Sequence, residues 1–182
     1  WREFVRRNND ELVATYGNLV QRVLTFTYKR CDGAVPQPGP LDPASQALLV
    51  KAAATLNSMD NLLGGCHFKD AIKEAMTLAQ EANRYLDDKS PWKTIKEDMQ
   101  AAATALYTAS GVISALKTAL YPFLPQSSQR VHEYLGFSGQ VAEAGWQIVT
   151  PPPGQKLNPP QVLFTKLDDS VVTEEQARMG LG

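Results

Sequence analysis

The sequence predicts an all-α fold: an antiparallel bundle of about five helices followed by an extended, proline-rich C-terminal tail. Three observations indicate this class. Apolar residues recur every three to four positions over long segments, which is the spacing of one helix face. The first 136 of the 182 residues contain no convincing alternating strand pattern. The connections between the helical segments are short, and short connections favour antiparallel neighbours.

The first predicted helix covers residues 2–30 and carries a broad apolar stripe. That stripe consists of Leu12, Tyr16, Leu19, Val20, Val23 and Leu24. Asp32 and Gly33 end the helix, and four prolines make residues 34–43 a loop. An alanine-rich second helix is predicted over residues 44–63, because two glycines follow it.

The third predicted helix covers residues 68–87, with an apolar face that begins at Phe68. A fourth helix is expected to begin at Pro91 and continue to about residue 121. Ser90 before it is a favoured N-cap, and proline fits the first helical position because its missing N–H would be unpaired there. Pro122 and Pro125 end that helix, and a short fifth helix follows over residues 127–136.

The remaining residues have a different character and predict a tail. Residues 151–160 contain five prolines, and the only apolar cluster after them is the triplet at residues 162–164. We therefore predict two parts, a helical domain over residues 1–136 and an extended tail over residues 137–182. The apolar triplet would be costly to leave in water, so we expect the tail to dock back on the bundle or on a module outside the chain.

Composition excludes several classes of protein. A hydrophobic share of 43% is too high for a disordered chain. No apolar stretch approaches the ~20 residues of a membrane span, and no secretory signal opens the sequence. The two cysteines, Cys31 and Cys66, and the two histidines lack the spacing of a metal site, so we expect reduced cysteines in a cytoplasmic protein. Because the chain begins with Trp1 and not Met, we expect a fragment of a longer polypeptide.

The sequence contains no recognisable catalytic motif. A glycine-rich phosphate loop, a Gly-x-Ser-x-Gly elbow and a His–Cys pair at motif spacing are all missing. We interpret Asp87 and Asp88 as a solvated turn, and His132 as a partly exposed structural histidine. We therefore predict no catalytic residue, no metal and no cofactor in this chain.

Two features suggest binding instead. Asn18 and Arg22 are four positions apart and so lie on one helix face, where an amide and a guanidinium could read the pairing edge of cytosine. Trp92 follows Pro91 at a helix start, where an aromatic ring could stack on a base. Helix surfaces often carry Asn and Arg without a ligand, and Trp92 could instead cover the helix junction. Spacing alone leaves both interpretations open.

These features belong to longer segments that resemble a known family. Residues 17–24 and 28–33, GNLVQRVL and YKRCDG, resemble the first helix of the anticodon-binding domain of methionyl-tRNA synthetases. Residues 82–92, ANRYLDDKSPW, resemble the family's segment where the third helix ends. The runs at 120–125 and 163–168 follow in the expected order, so the similarity covers nearly the whole chain. Cys31 and Thr165 depart from the common residues at their positions.

The resemblance implies specific roles. In this family the residues matching Asn18 and Arg22 contact the anticodon, chiefly the first-position cytosine of CAU. The tryptophan matching Trp92 stacks on that base, with the proline matching Pro91 beside it. By location alone, three further residues are candidate phosphate contacts: Lys29, Arg30 and Lys93.

The resemblance also implies a parent enzyme that attaches methionine to its tRNA with ATP and magnesium in an N-terminal catalytic domain. Methionine tRNA and that catalytic domain are then the expected partners, with no membrane and no DNA. The nucleotide-binding motifs of such a domain are missing from these residues, so the fragment alone should be inactive. The tail is expected to dock on the bundle or on that catalytic domain.

Two other functions remain as alternatives. The chain could be the anticodon-binding domain of another class I synthetase, of the leucine, isoleucine or valine type, although the combination of Asn18, Arg22 and Trp92 argues against this. It could also be a helical adaptor without RNA binding, which predicts a large apolar patch and no anticodon dependence. 

The distribution of charge agrees better with selective base recognition than with RNA binding through overall charge. The net charge is only −1, but residues 1–30 carry six basic and three acidic residues, whereas residues 140–182 carry three basic and five acidic ones. A net charge near zero is not typical of a protein that binds RNA mainly through its overall positive charge. It suits a protein that reads a few bases.

Overall fold

The computed structural model describes residues 1–180 and confirms the all-α class. Within those residues no strand forms, and the only β-type pairing is an isolated bridge between Ala34 and Lys156. No helix in the described part of the chain is both long and apolar enough to cross a membrane. The helices pack around one continuous apolar core, to which every long helix contributes.

The first helix is a continuous rod with an unexpected centre. It begins as α1 (Arg2–Arg7), passes through a π-helical segment (Asn8–Gly17) and continues as α2 (Asn18–Arg30). The predicted stripe is confirmed from Tyr16 onward, where Tyr16, Leu19 and Leu24 are fully buried. The three-to-four spacing was interpreted as α-helical throughout, so it did not predict the wider π-helical turns, in which Leu12 is only partly buried.

Two antiparallel helices follow, α3 (Pro43–Gly64) and α4 (Phe68–Lys89). Asp42 caps α3, because its carboxylate accepts from the backbone N–H groups of Ala44 and Ser45. The same carboxylate accepts from Lys89 Nζ at 2.9 Å, and this bond lowers the pKa of Asp42 to about 2. The expected apolar face of α4 does not begin at Phe68, whose side chain is exposed.

The prediction of one helix from Pro91 to residue 121 is wrong. The chain forms a single turn, α5 (Pro91–Thr94), then a bend, and then α6 (Met99–Ala119). Asp98 causes this break, because its side chain caps α6 by accepting from the N–H of Ala101. Ser90 makes no side-chain cap of its own; its hydroxyl donates back to the carbonyl of Asp87.

Helix α6 is the centre of the bundle. Between Ala102 and Ala119 every residue except Tyr107 is buried. It packs against α2, α3, α4, α5 and α7. Small residues allow this close approach: a Cβ added at Gly111 would lie 3.1 Å from Cδ2 of Leu49. The close packing of the core therefore depends on the small side chains of α6.

The last helices are shorter. The fifth predicted helix corresponds to α7 (Pro125–Tyr134). His132 is not partly exposed as predicted: the residue is only 3% exposed, and its Nε2 bonds to the carbonyl of Ser138. The expected extended tail also contains two helices that the sequence did not predict, α8 (Val141–Ala144) and α9 (Ser170–Arg178).

The tail crosses the bundle between these two short helices. The N–H of Val35 donates to the carbonyl of Gln155, and the N–H of Leu157 donates to the carbonyl of Gly33. Leu157 and Leu163 are buried in the core, while Val162 is exposed. The end of the predicted tail, residues 181–182, lies outside the described residues.

Candidate nucleic-acid interface

The structure brings together the two binding features that lie about seventy residues apart in sequence. Arg22 projects from the second turn of α2, and Trp92 follows the first residue of α5. The guanidinium carbon of Arg22 lies 4.2 Å from the centre of the Trp92 ring. A cation over an indole face is attracted by the ring's quadrupole, by about 0.5–2 kcal/mol depending on exposure. Arg22, Trp92 and Asn18 therefore belong to one surface.

The end of α4 determines where Trp92 stands. Ser90 adopts a left-handed conformation with φ of 42°, which turns the chain sharply between α4 and α5. Its carbonyl accepts from the N–H groups of Lys93 and Thr94, and this holds the short helix in place. Pro91 is buried beneath the turn, whereas Trp92 is half-buried and packs against the core. The ring thus covers the junction and keeps some of its surface exposed, and its role in base stacking stays a prediction.

A carboxylate at the interface was missed. Arg22 Nη2 donates to Asp87 Oδ1 at 2.9 Å, with the two side chains 32% and 63% exposed. Asp87 is exposed, as the interpretation of a solvated position requires, but its carboxylate is paired with Arg22. Asp87 lies on the last turn of α4, four residues before Pro91, and this closeness to the Trp92 motif was the only signal in the sequence that could have found it.

Asn18 is the least engaged member of the group. It is the first residue of α2, one turn before Arg22, and it is half-buried. Within residues 1–180 its side-chain amide makes no hydrogen bond to the protein. Because one amide offers both an acceptor and two donors, this side chain is available to a ligand with a mixed hydrogen-bonding edge.

The three candidate phosphate contacts lie on two elements. Lys29 and Arg30 are exposed at the end of α2, and Lys93 is exposed on α5. None of the three forms an ion pair in the described part of the chain. A further lysine stands near the end of α2, where Lys156 Nζ donates to the carbonyl of Asp32 at 3.2 Å. The sequence could not indicate Lys156, because the tail brings it there from more than a hundred residues away.

The surface combines an aromatic ring, a guanidinium and an amide, which is chemistry for stacking a base and reading its edge. It contains no nucleophile beside a base. No group of three His, Cys, Asp or Glu residues among residues 1–180 is placed to hold a metal ion.

Comparison with known families gives a specific match. Residues 35–181 match the family described as the anticodon binding domain of methionyl tRNA ligase. A methionine–tRNA ligase from Dehalococcoides mccartyi is 58% identical over 181 residues, covering 100% of this chain and 33% of the relative. One from Chloroflexus aggregans is 45% identical, covering 98% of this chain and 34% of the relative. This chain thus spans about a third of the length of these relatives.

Comparison with solved structures leads to the same family. The apo form of methionyl-tRNA synthetase from Mycobacterium tuberculosis superposes with a TM-score of 0.84 at 29% identity. The match covers 90% of this chain and 34% of that protein. A structure of the same enzyme bound by methionyl-adenylate superposes equally well and covers 33% of that chain. The similarity therefore extends over most of the fold.

Proposed function

The chain belongs to the family of anticodon-binding domains of methionyl-tRNA ligases, and from this premise we propose that it recognises the CAU anticodon of methionine tRNA. One observation carries the proposal: Arg22 lies over the ring of Trp92, with Asn18 one turn away on the same helix. The first base of the anticodon stacks on Trp92, and its pairing edge faces Asn18 and Arg22.

The donor and acceptor pattern favours cytosine. The pairing edge of cytosine presents one amino donor and two acceptors. The amide oxygen of Asn18 accepts from the amino group, while the guanidinium of Arg22 donates to the two acceptors. Uracil places an acceptor where cytosine has its amino group, so it leaves the Asn18 oxygen facing another oxygen. By analogy with groove readout, such a contact discriminates by about 1–3 kcal/mol.

The other predicted residues support this binding. Pro91 is buried and keeps the first turn of α5 rigid, so that the Trp92 platform has one orientation. Lys29, Arg30 and Lys93 contact backbone phosphates of the loop. Such contacts hold RNA without reading it and weaken as salt rises.

We further propose that the parent protein joins methionine to its tRNA with ATP and magnesium, in the cytoplasm. The full-length relatives, which are named methionine–tRNA ligases, support this. In the parent, a catalytic domain performs the reaction and this chain supplies anticodon recognition. The division into residues 1–136 and 137–182 stays a prediction, with the tail as the part that closes over the bundle. A domain for leucine, isoleucine or valine tRNA is not favoured by the relatives reported above.

Binding of two stem-loops tests the site. We expect this chain to bind a methionine anticodon stem-loop with CAU about 10- to 100-fold more tightly than the same stem-loop with UAU. Asn18→Ala or Arg22→Ala should bring the two affinities close together. Trp92→Ala should weaken both, because base stacking contributes about 1–3 kcal/mol whatever the base.

Matched controls come from exposed residues elsewhere. Asn57→Ala on α3, Arg178→Ala on α9 and Trp1→Ala remove the same side-chain types away from the interface. They should bind like the unmodified chain. If Asn18→Ala, Arg22→Ala and Trp92→Ala all bound the CAU stem-loop as tightly and as selectively as the unmodified chain, the site assignment would be wrong.

A further inference from the structure

Beneath the interface, Asn83 of α4 connects two helices. Its Nδ2 donates to the carbonyl of Thr15 in the first helix at 3.0 Å, and to the carbonyl of Ala79 in its own helix, also at 3.0 Å. Two carbonyl acceptors identify this atom as the amide nitrogen. The second bond is an ordinary contact within α4. The first joins positions 68 residues apart in sequence.

The acceptor of the cross-helix bond lies at a weak point of the first helix. Thr15 is near the end of the π-helical segment, and its own hydroxyl donates to the carbonyl of Asp10, five residues earlier. The N–H of Asn18 donates to the carbonyls of Thr15 and Val13, three and five residues earlier. The hydrogen-bond register changes here from the wide π pattern to the α pattern. Such junctions are less well bonded than a continuous α-helix.

This junction sets the direction in which the recognition residues point. Successive residues of an α-helix are rotated by about 100°, so a junction displaced by one residue would turn Asn18 and Arg22 away from Trp92. Helix α4 holds the first helix on both sides of Asn18. Asn83 bonds to Thr15 before it, and Asp87, one turn later on α4, bonds to Arg22 after it.

The two bonds differ in whether an RNA ligand competes with them. The ion pair between Arg22 and Asp87 is exposed, and an RNA ligand that binds Arg22 must compete with it. The bond from Asn83 is part-buried and ends on a backbone carbonyl, so a ligand that binds Arg22 does not compete for its acceptor. Asn83 thus connects α4 to the first helix just before Asn18.

We propose that Asn83 is a positioning residue for anticodon recognition: by bonding the carbonyl of Thr15 it sets the rotation of α2, and thereby the placement of Asn18 and Arg22 against Trp92. Asn83 does not touch the RNA. This inference rests on the proposed function, because it assigns a role within the same site.

Two variants separate positioning from simple stability. Asn83→Leu keeps the branched shape of the side chain but has no hydrogen-bond donor. Asn83→Ala removes the side chain. Asn61→Ala is the matched control, because the Asn61 amide makes the same bond to a carbonyl four residues earlier in α3 but none to another helix. Binding of the CAU and UAU stem-loops is measured for each variant and corrected for its folded fraction.

The first readout is the ratio of the two affinities. We expect this ratio to fall about fivefold or more for Asn83→Leu and Asn83→Ala, which is the effect of losing one hydrogen bond. Asn61→Ala should leave it unchanged. Partial unfolding lowers both affinities together, so a purely structural role would leave the ratio where it was. An unchanged ratio for Asn83→Leu, in a chain that otherwise discriminates CAU from UAU, would overturn the proposal.

The second readout needs no RNA. With Trp1→Phe and Trp146→Phe as background, emission comes from Trp92 alone. Asn83→Leu should shift that emission, because Arg22 moves relative to the ring, whereas Asn61→Ala should not. If the unmodified chain did not discriminate between the stem-loops, the proposed function would be wrong. The Trp92 spectrum would still show whether Asn83 sets the placement of α2, because it needs no RNA. A Trp92 spectrum identical to that of the background chain would contradict the positioning role.

Discussion

Two cationic side chains, in two regions of the molecule, have opposite surroundings. Arg22 lies on the recognition face, one-third exposed, bonded to Asp87 and stacked on Trp92. Lys117 lies on the central helix α6 and is 0% exposed. Its Nζ reaches the hydroxyl of Thr118 at 3.3 Å and lies 5.5 Å from the centre of the Phe137 ring. Within residues 1–180 Lys117 has no carboxylate partner.

The difference shows how one bundle separates binding from stability. A partly exposed charge with a water-accessible partner loses little when a ligand replaces that partner. A buried charge without a counter-ion is unfavourable, and the protein responds by favouring the neutral form. Desolvation accordingly lowers the pKa of Lys117 to about 8. We therefore expect changes on α6 to alter folding, and changes around Arg22 to alter binding.

The largest effect should come from the packing of α6. Leu116 is fully buried, so Leu116→Ala should lower the free energy of unfolding by about 2–5 kcal/mol. Urea unfolding measures this. Val50→Ala is the control, because Val50 is exposed and should change stability by less than about 0.5 kcal/mol. If Leu116→Ala changed the CAU to UAU affinity ratio of the folded protein, the separation of the two regions would be wrong.

Lys117 should produce a smaller effect with a characteristic pH dependence. Its pKa is about 8 in the folded state, lower than the ordinary lysine value of 10.5 that applies to the unfolded chain. Below pH 8 both states are protonated and the burial penalty is complete. Between these values the unfolded state binds more protons, so stability should rise with pH, by about 3 kcal/mol in total.

Lys117→Met tests this, because it keeps the aliphatic part of the side chain and removes the charge. At pH 7 the variant should be more stable than the unmodified chain, and the advantage should shrink as the pH rises toward 10. Urea unfolding at several pH values measures the difference in free energy of unfolding between the variant and the unmodified chain. The other titrating groups contribute equally to both chains and therefore cancel. Lys96→Met, at an exposed position, should show no such trend. A constant difference across the range would mean that Lys117 is not desolvated.

The smallest effect on stability should come from the ion pair at the interface. Asp87→Asn removes the charge that faces Arg22 and keeps the shape of the side chain. Because exposed ion pairs contribute about 0–1 kcal/mol, thermal unfolding should change by no more than that, and less at high salt. If Asp87→Asn lowered the free energy of unfolding as much as Leu116→Ala, the ion pair between Arg22 and Asp87 would support the fold. The contrast with α6 would then be wrong.

Most of the helices could be predicted because periodicity is a local property. The apolar stripes of the first, third and central helices lie largely where the spacing placed them. Two local features were missed. Asp98 caps α6 and divides the fourth predicted helix, although its position within a continuous apolar pattern concealed the break. The π-helical segment was missed because it contains only two residues of the predicted stripe, Leu12 and Tyr16, and their spacing of four fits either type of helix.

The recognition site was predictable only in part. The pair Asn18 and Arg22 follows from helix spacing, and Trp92 stands out as an aromatic residue at a helix start. Asp87 and Asn83 were missed because each acts across a helix boundary, on Arg22 and on Thr15. No spacing rule within one helix can identify a partner that lies 65 or 68 residues away.

The sequence by itself therefore determined the helical class, the main apolar faces and the family, since these depend on local periodicity and on the order of motifs. Only the tertiary structure decided that Arg22 stacks on Trp92, that Asp87 and Asn83 hold the first helix from α4, and that Lys117 is buried without a counter-ion. The physical reason is that rotation and contact between helices depend on how all the faces pack around α6 together, and no single segment encodes that packing.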